Sequence, residues 1–336
     1  MKPSRGVFTV SIDFELFWGT RDHRTLDDYG PRILGGRRAT LALLELFTEF
    51  GVHATWAVVG LTCFGTAEEA RRCAPSMLPE YSSRRLSPYP ALERIGDGQK
   101  SPEYFFARDL VEKIRDTPGQ ELASHTFSHY YCLEPGQTLD AFTADLAAMR
   151  ELGERELGVD LQSLVFPRNQ FNESYLDACR AAGIRAFRGN PRSWAYARGA
   201  GDQPAPLRRA FRLADSYLNL TGHHGHRLES LRRSAPVDVP ASRFLRPWSR
   251  RLRLLEPMRV RRICGDLTYC AERGLLYHLW WHPENFGADA EENVAFLRKV
   301  LTHFATLRSE RGMESRSMAE VRTLLEPAVA GTPAPS

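Results

Sequence analysis

Four clusters of side chains capable of chemistry each follow directly on a strand-like run in this chain. Residues 7–12 lead into Asp13 and Glu15, 121–124 into His125 and His129, 164–167 into Arg168 and Asn169, and 275–281 into His282. Between these runs apolar side chains recur at helical spacing over 36–50, 108–115, 138–157, 172–182, 259–273 and 290–310, with Gly51, Gly183 and Gly274 at three of the junctions. Strands alternating with helices predict an α/β, barrel-like layout rather than a sandwich. In such barrels chemistry collects at the C-terminal ends of the strands. Four polar clusters in that same position constrain the fold more than any single motif does.

The 336 residues accommodate one catalytic domain over 1–326. A Pro/Ser/Gly/Arg-rich stretch at 65–104 reads as an irregular insertion beside the site. Residues 206–263 read as a basic arm, and the Ala/Pro-rich 327–336 as a disordered tail. No CxxC pair occurs among the six cysteines, so reduced thiols are expected. The first residues lack the pattern of a secretory signal, and no apolar run approaches a membrane span. A cytoplasmic location without a transmembrane segment is the expectation.

Within Ser124-His125-Thr126-Phe127-Ser128-His129 the two histidines are spaced i, i+4, which places them on one face of a helical turn. Asp13-Phe14-Glu15 supplies carboxylates from elsewhere; residues i and i+2 of a strand share a face, so both can converge. Two histidines and a carboxylate can hold a divalent cation and leave a position for water, as a hydrolytic metal requires. Ser128 and Thr126 can orient these ligands. His223-His224-Gly225-His226 invites a second metal reading, but it lies in a Gly-rich loop with nothing to fix it and is not counted as a site.

The order Asp-x-Glu, His-x-x-x-His, Phe-Pro-Arg-Asn-Gln and His-Leu-Trp-Trp-His-Pro-Glu-Asn-Phe resembles the polysaccharide deacetylase family, the NodB-homology carbohydrate esterases, over about residues 1–290. The resemblance implies a deformed (β/α) barrel of the NodB-homology type, a divalent metal, and removal of an N- or O-acetyl group from a sugar. Asp13 then resembles the catalytic base, with Glu15, His125 and His129 as the metal ligands. The family usually has two adjacent aspartates where this chain has Asp13 and Glu15, which leaves open which acid binds metal and which takes the proton. The general acid is a late histidine. His278 and His282 share a strand face but stand roughly 13 Å apart at about 3.3 Å per residue, and His282, nearer the C-terminal end, is the choice. Arg168 resembles the arginine that orients the base, although in many members it precedes the proline; Arg188 competes for that place. Asn169, Arg188, Trp281 and Asn285 are expected at the substrate, with Trp281 part of an aromatic wall. Zinc is the expected cation, and cobalt, iron or nickel suit the same ligands.

The formal charge of +4 is mild, yet fourteen arginines face four acids between Pro206 and Ile263. An arginine cluster suits a pyrophosphate carrier on the acetylated sugar or an anionic membrane surface touched peripherally; no motif accompanies it that points to nucleic acid. The expected substrate is thus a nucleotide- or lipid-linked sugar, a precursor of a surface polysaccharide. Two other readings remain: hydrolysis of a non-sugar C–N amide bond on the same scaffold, and a catalytically silent carbohydrate- or lipid-binding module.

Overall fold

The computed structural model describes residues 5–95, 101–193, 195–196, 206–232 and 234–326. Ten strands run in chain order: β1 (Val7–Phe14), β2 (Ala54–Val58), β3 (Gln120–Ser124), β4 (Ser163–Leu164), β5 (Ala186–Phe187), β6 (His226–Arg227), β7 (Val237–Asp238), β8 (Arg243–Phe244), β9 (Leu275–Trp281) and β10 (Glu314–Ser315). They form one sheet in the order β6-β9-β1-β2-β3-β4-β5-β7, with β10 pairing β1 and β8 pairing β9. Every pairing is parallel except β6 with β9. All eight residues of β1 are buried, the state of a central parallel strand covered on both faces.

The two ends of this curled sheet are joined by a single strap. Val239 N–H donates to Phe187 O at 2.9 Å and Ala241 N–H to Gly189 O at 3.0 Å, both beside β5. Ser242 N–H then donates to His278 O, and Leu245 N–H to Trp280 O, each at 2.8 Å and on β9. Residues 237–245 therefore close the barrel by bonding to both edges, and the α/β barrel expected from the alternation is the fold observed.

The first helix, Leu26–Phe50, begins ten residues before the periodic stretch at 36. Thr25 caps it by accepting from Asp28 N–H at 3.3 Å, and Gly51 ends it at φ 58°. Gly30, Pro31, Gly35 and Gly36 hide its first turns from a propensity reading. Packing explains one of them: a Cβ on Gly35 would lie 2.0 Å from Gly287 O, so only glycine lets this helix meet the turn after β9. Helix Leu139–Leu152 widens into a π-helical turn, Gly153–Leu157, within the expected 138–157. Helix Glu256–Arg273 starts three residues earlier than its periodicity, and helix Met318–Leu325, absent from the sequence reading, packs beneath the barrel. Within 65–104 short helical turns bury Tyr89, Leu92 and Ile95 in the main core; residues 96–100 of this stretch, like the 327–336 tail, lie outside the described residues.

Three arginines of the basic arm are turned inward. Arg243, Arg259 and Arg262 are buried, and Asp215 and Asp266, both fully buried, hold Arg243 and Arg262. Arg243 Nε lies 3.1 Å from Asp266 Oδ2, and Arg262 also contacts Asp266. His223 joins this network through Nδ1, 2.7 Å from Asp266 Oδ1, and His224 contacts Ser242 O and Thr221 Oγ1. Among the described residues these histidines form no metal-sized group.

Candidate active site

Five loops at the C-terminal ends of the strands meet in a cleft of about 680 Å³. Asp13, near the end of β1, and Glu15, just beyond it, point into it, 4% and 9% exposed in their side chains. The chain then turns sharply, with Leu16 at φ 50° and its N–H donating to Glu284 Oε1 at 3.0 Å.

His125 and His129 follow β3, and both imidazoles reach one oxygen of Glu15. His125 Nε2 stands 2.9 Å and His129 Nε2 3.2 Å from Glu15 Oε1. His125 Nδ1 lies 2.8 Å from Val165 O, so that nitrogen is held by the carbonyl and Nε2 is the ring atom turned toward the carboxylate. Burial pushes His129 down to about 4 against the pull of Glu15, so this ring is neutral near pH 7. Two imidazole nitrogens and a carboxylate oxygen thus meet at one point. The donor set fits a divalent cation.

The histidines do not lie on a helical turn, as their spacing had suggested. They occupy an irregular loop in which Thr126 has φ 62° and His129 φ 57°. A residue the sequence reading missed holds that loop: Asp145, fully buried in helix Leu139–Leu152. Its carboxylate accepts from Phe127 N–H at 2.6 Å, from Ser128 N–H at 3.0 Å and from the Ser128 hydroxyl. Burial raises its carboxyl to about 6, against the opposing pull of these donors. Asp145→Ala would leave two buried N–H groups unpaired, at about 1–3 kcal/mol each. The expected result is a lower denaturation midpoint together with weaker Zn²⁺ or Co²⁺ retention in a metal titration, Asp145→Asn falling between Ala and the parent.

The arginine against the expected base is Arg188, just after β5, and not Arg168. Arg188 Nη1 and Nη2 meet Asp13 Oδ1 and Oδ2 at 2.6 and 2.7 Å in a two-pronged pair, and Nη1 also donates to Ser11 Oγ at 3.0 Å. Its guanidinium lies 4.1 Å over the Trp280 ring, and Asn169 Oδ1 accepts from Nη2 at 3.2 Å. Burial by itself raises Asp13, but Arg188, His125 and His282 outweigh it and hold the carboxyl below its ordinary value. Arg168 is engaged by Asp22 and by Glu134 at 3.0 Å, and its guanidinium covers the ring of Tyr131 at 4.1 Å. Its backbone takes φ 54° after Pro167, which turns the side chain along the cleft rim.

His282, immediately after β9, lies 3.5 Å from Glu15 Oε1 and 3.7 Å from Asp13 Oδ2 through Nε2. Burial disfavours its charged form, but Glu15 and Asp13 prevail and push the imidazole up to about 9. His278 sits deeper, fully buried, its Nε2 2.8 Å from Ser11 Oγ. Burial also raises Glu284, to about 8, with Glu15 adding to the effect and His282 opposing it.

The aromatic side chain at the cleft is Trp280, not Trp281. Trp281 is fully buried, stacked on Phe286 at 5.6 Å, whereas Trp280 lines the cleft with Phe244, 4.8 Å away. Side chains alternate along β9, so Trp280 shares the face of His278 and His282. That parity was a usable signal. Asn169 and Asn285 both line the cleft, Asn285 Oδ1 accepting from His282 N–H at 3.3 Å.

Five non-glycine residues have positive φ among the described residues: Leu16, Thr126, His129, Arg168 and Asn169. All five lie in the loops around this cleft.

Comparison with known proteins adds a match to one family model and likenesses of fold. The family model described as "Polysaccharide deacetylase" matches residues 25–187, a span that includes both histidines and Arg168 but not Asp13, Glu15, Arg188 or His282. No curated protein matches the chain. Among solved structures, a Mycobacterium smegmatis protein provisionally described as a polysaccharide deacetylase aligns with TM-score 0.60 and 13% identity, covering 99% of this chain and 96% of its own. Puue allantoinase aligns with TM-score 0.52 and 12% identity over 98% and 93% of the two chains. The GH57-type branching enzyme of Pyrococcus horikoshii aligns with TM-score 0.53 and 12% identity, over 96% of this chain and 71% of its own. At these identities the likeness is one of fold.

Proposed function

On the match of residues 25–187 to the polysaccharide deacetylase family model, we propose that this chain is a member of that family and hydrolyses an acetyl group from a sugar with the help of a divalent cation held by Glu15, His125 and His129. The observation that carries this reading is the convergence of three candidate ligand atoms on one point beside a carboxylate clamped by arginine. Bound there, the cation would polarise the acetyl carbonyl and acidify a water molecule. The neighbours support Glu15 as the ligand, since it faces both imidazoles, and Asp13 as the base, since it faces Arg188.

The remaining work falls to the chain's own groups. Asp13, kept anionic and oriented by Arg188, accepts the proton of the attacking water. Asn169 and Ser11 fix the guanidinium, so the carboxylate cannot swing away. His282, charged near neutral pH, donates a proton to the departing nitrogen or oxygen of the sugar. Trp280 and Phe244 offer apolar faces beside it on which a sugar ring can rest. Zinc is the proposed cation, with cobalt, iron and nickel as substitutes.

The proposed substrate is carrier-linked, a nucleotide- or lipid-linked acetylated sugar. Within the cleft Arg168 is engaged by Asp22 and Glu134, and Arg188 by Asp13, so the proposed grip on a carrier lies outside it. The second reading, hydrolysis of a non-sugar amide, draws on the fold shared with an allantoinase. Acetate release from a panel of free, nucleotide-linked and lipid-linked N- and O-acetyl sugars tests the two together. We expect release from at least one sugar, its loss on chelation and its return with Zn²⁺ or Co²⁺. A metal-loaded protein inert on the whole panel but active on cyclic or linear non-sugar amides would overturn the sugar reading.

A further inference from the structure

The most exposed apolar side chain among the large ones of the described residues is Leu254, 85% exposed, in the 3₁₀ turn Arg250–Leu255. None of the six residues in this turn is buried, and Leu255 beside it is 39% exposed. The turn reads Arg-Arg-Leu-Arg-Leu-Leu, so basic and apolar side chains share one protrusion. From Leu245 to Arg262 the sole acid is Glu256, and Arg259 engages it through Nε at 3.0 Å. Arg250, Arg251 and Arg253 have no carboxylate partner among the described residues.

The place of this protrusion is set by the barrel. β8 runs parallel to β9, with Phe244 in register with Trp280, and both side chains line the cleft. The chain leaving β8 therefore emerges on the catalytic face, at the rim of the cleft. It is held there: Trp248 N–H donates to Asn293 Oδ1 at 2.7 Å, and the buried Arg259 donates to Arg246 O with its guanidinium 3.9 Å over Phe296. Tyr217, which feels the charges of Glu256, Arg259 and Arg246, brings a second exposed turn, with Leu218 and Leu220 each 48% exposed, into the same neighbourhood.

We propose that the Arg250–Leu255 turn is a docking surface for an anionic lipid bilayer, which it meets with the catalytic cleft facing the headgroups. Charge complementarity selects this occupant. Unpaired arginines attract anionic headgroups, and leucines on the same protrusion enter the acyl boundary, a combination that a soluble anion would not reward. No helix of the described residues is long and apolar enough to cross a membrane, so the attachment is peripheral.

Sedimentation of the intact chain with phosphatidylglycerol/phosphatidylcholine vesicles tests this. Pelleting is expected with these vesicles, not with phosphatidylcholine alone, and it should weaken as salt rises. Removing Arg250 or Arg251 as alanine should weaken binding about fivefold each, and Leu254→Ser about tenfold. These side chains are exposed, so the variants should keep the parent's melting temperature and its activity on soluble substrates. Absence of pelleting, or equal pelleting of parent and variants, would overturn the proposal. So would a concentration-dependent dimer abolished by Leu254→Ser, which would assign the turn to a second copy of the chain. Because lipid binding is read without turnover, failure here leaves the chemistry of the cleft untouched, and failure of the acetate assay leaves this surface standing.

Discussion

Asp13→Asn is expected to lower kcat by about 10²–10⁴-fold, the range for loss of a positioned general base, with bound metal retained. The amide keeps the shape of the carboxylate and can still accept from Arg188, but it cannot take a proton from water. Glu15, which faces the imidazoles, is unchanged, so metal content measured on the purified variant should match the parent. That combination separates catalyst from binding module. If activity survives the substitution, Asp13 is not the base. If the parent itself is inactive on every acetylated substrate while holding metal, the silent-module reading gains.

The second large effect belongs to Arg188. Arg188→Met is expected to destabilise the protein by about 3–5 kcal/mol, because it leaves a buried carboxylate without its partner. The cost should depend on pH in a definite direction. In the parent, Asp13 has a carboxyl held below its ordinary value, so its contribution is present above the ordinary carboxylate range and fades as pH falls through the lowered value. Without Arg188 burial dominates and raises the same carboxyl, so ionising it opposes folding. The difference between parent and variant should therefore widen from mildly acidic to neutral pH. Denaturant unfolding at two pH values measures this, and in an Asp13→Asn background the Arg188→Met cost should shrink markedly. An undiminished cost there would mean that Arg188 acts through packing on Trp280 rather than through the carboxylate.

Much of the barrel was legible because its signals are local. The strand runs, the helical spacings at 138–157 and 290–310, and the acids and histidines at the strand ends can each be read from a short window. What was not legible depends on pairings remote in the chain. Which guanidinium meets Asp13 follows from β5 curling round the barrel to face β1, and no spacing between residues 13 and 188 carries that information. Arg168 looked better placed because its neighbours match a motif, but the left-handed turn at that residue aims it along the rim. The i, i+4 histidines suggested a helix, whereas the loop's shape is imposed by Asp145, an acid inside a helix that carries no local sign of its task. Trp281 was misread by one step of strand parity, the smallest shift that moves a side chain from cleft to core. The start of helix Leu26–Phe50 was lost partly because Gly35 and Gly36, two of the residues that weaken its helical signal, are those that let it approach the turn bearing Glu284 and Asn285.

The five left-handed residues around the cleft have a consequence for how this protein could be hardened against heat. Each such conformation costs on the order of 1–3 kcal/mol when a side chain is present, and relaxing them would be the most direct route to a sturdier molecule. Yet these turns aim the imidazoles and the carboxylates, so comfort gained there comes out of turnover. Improvement without that trade has to come from the opposite end of the barrel and from the outer helices, where the backbone is at ease and no reacting group depends on it.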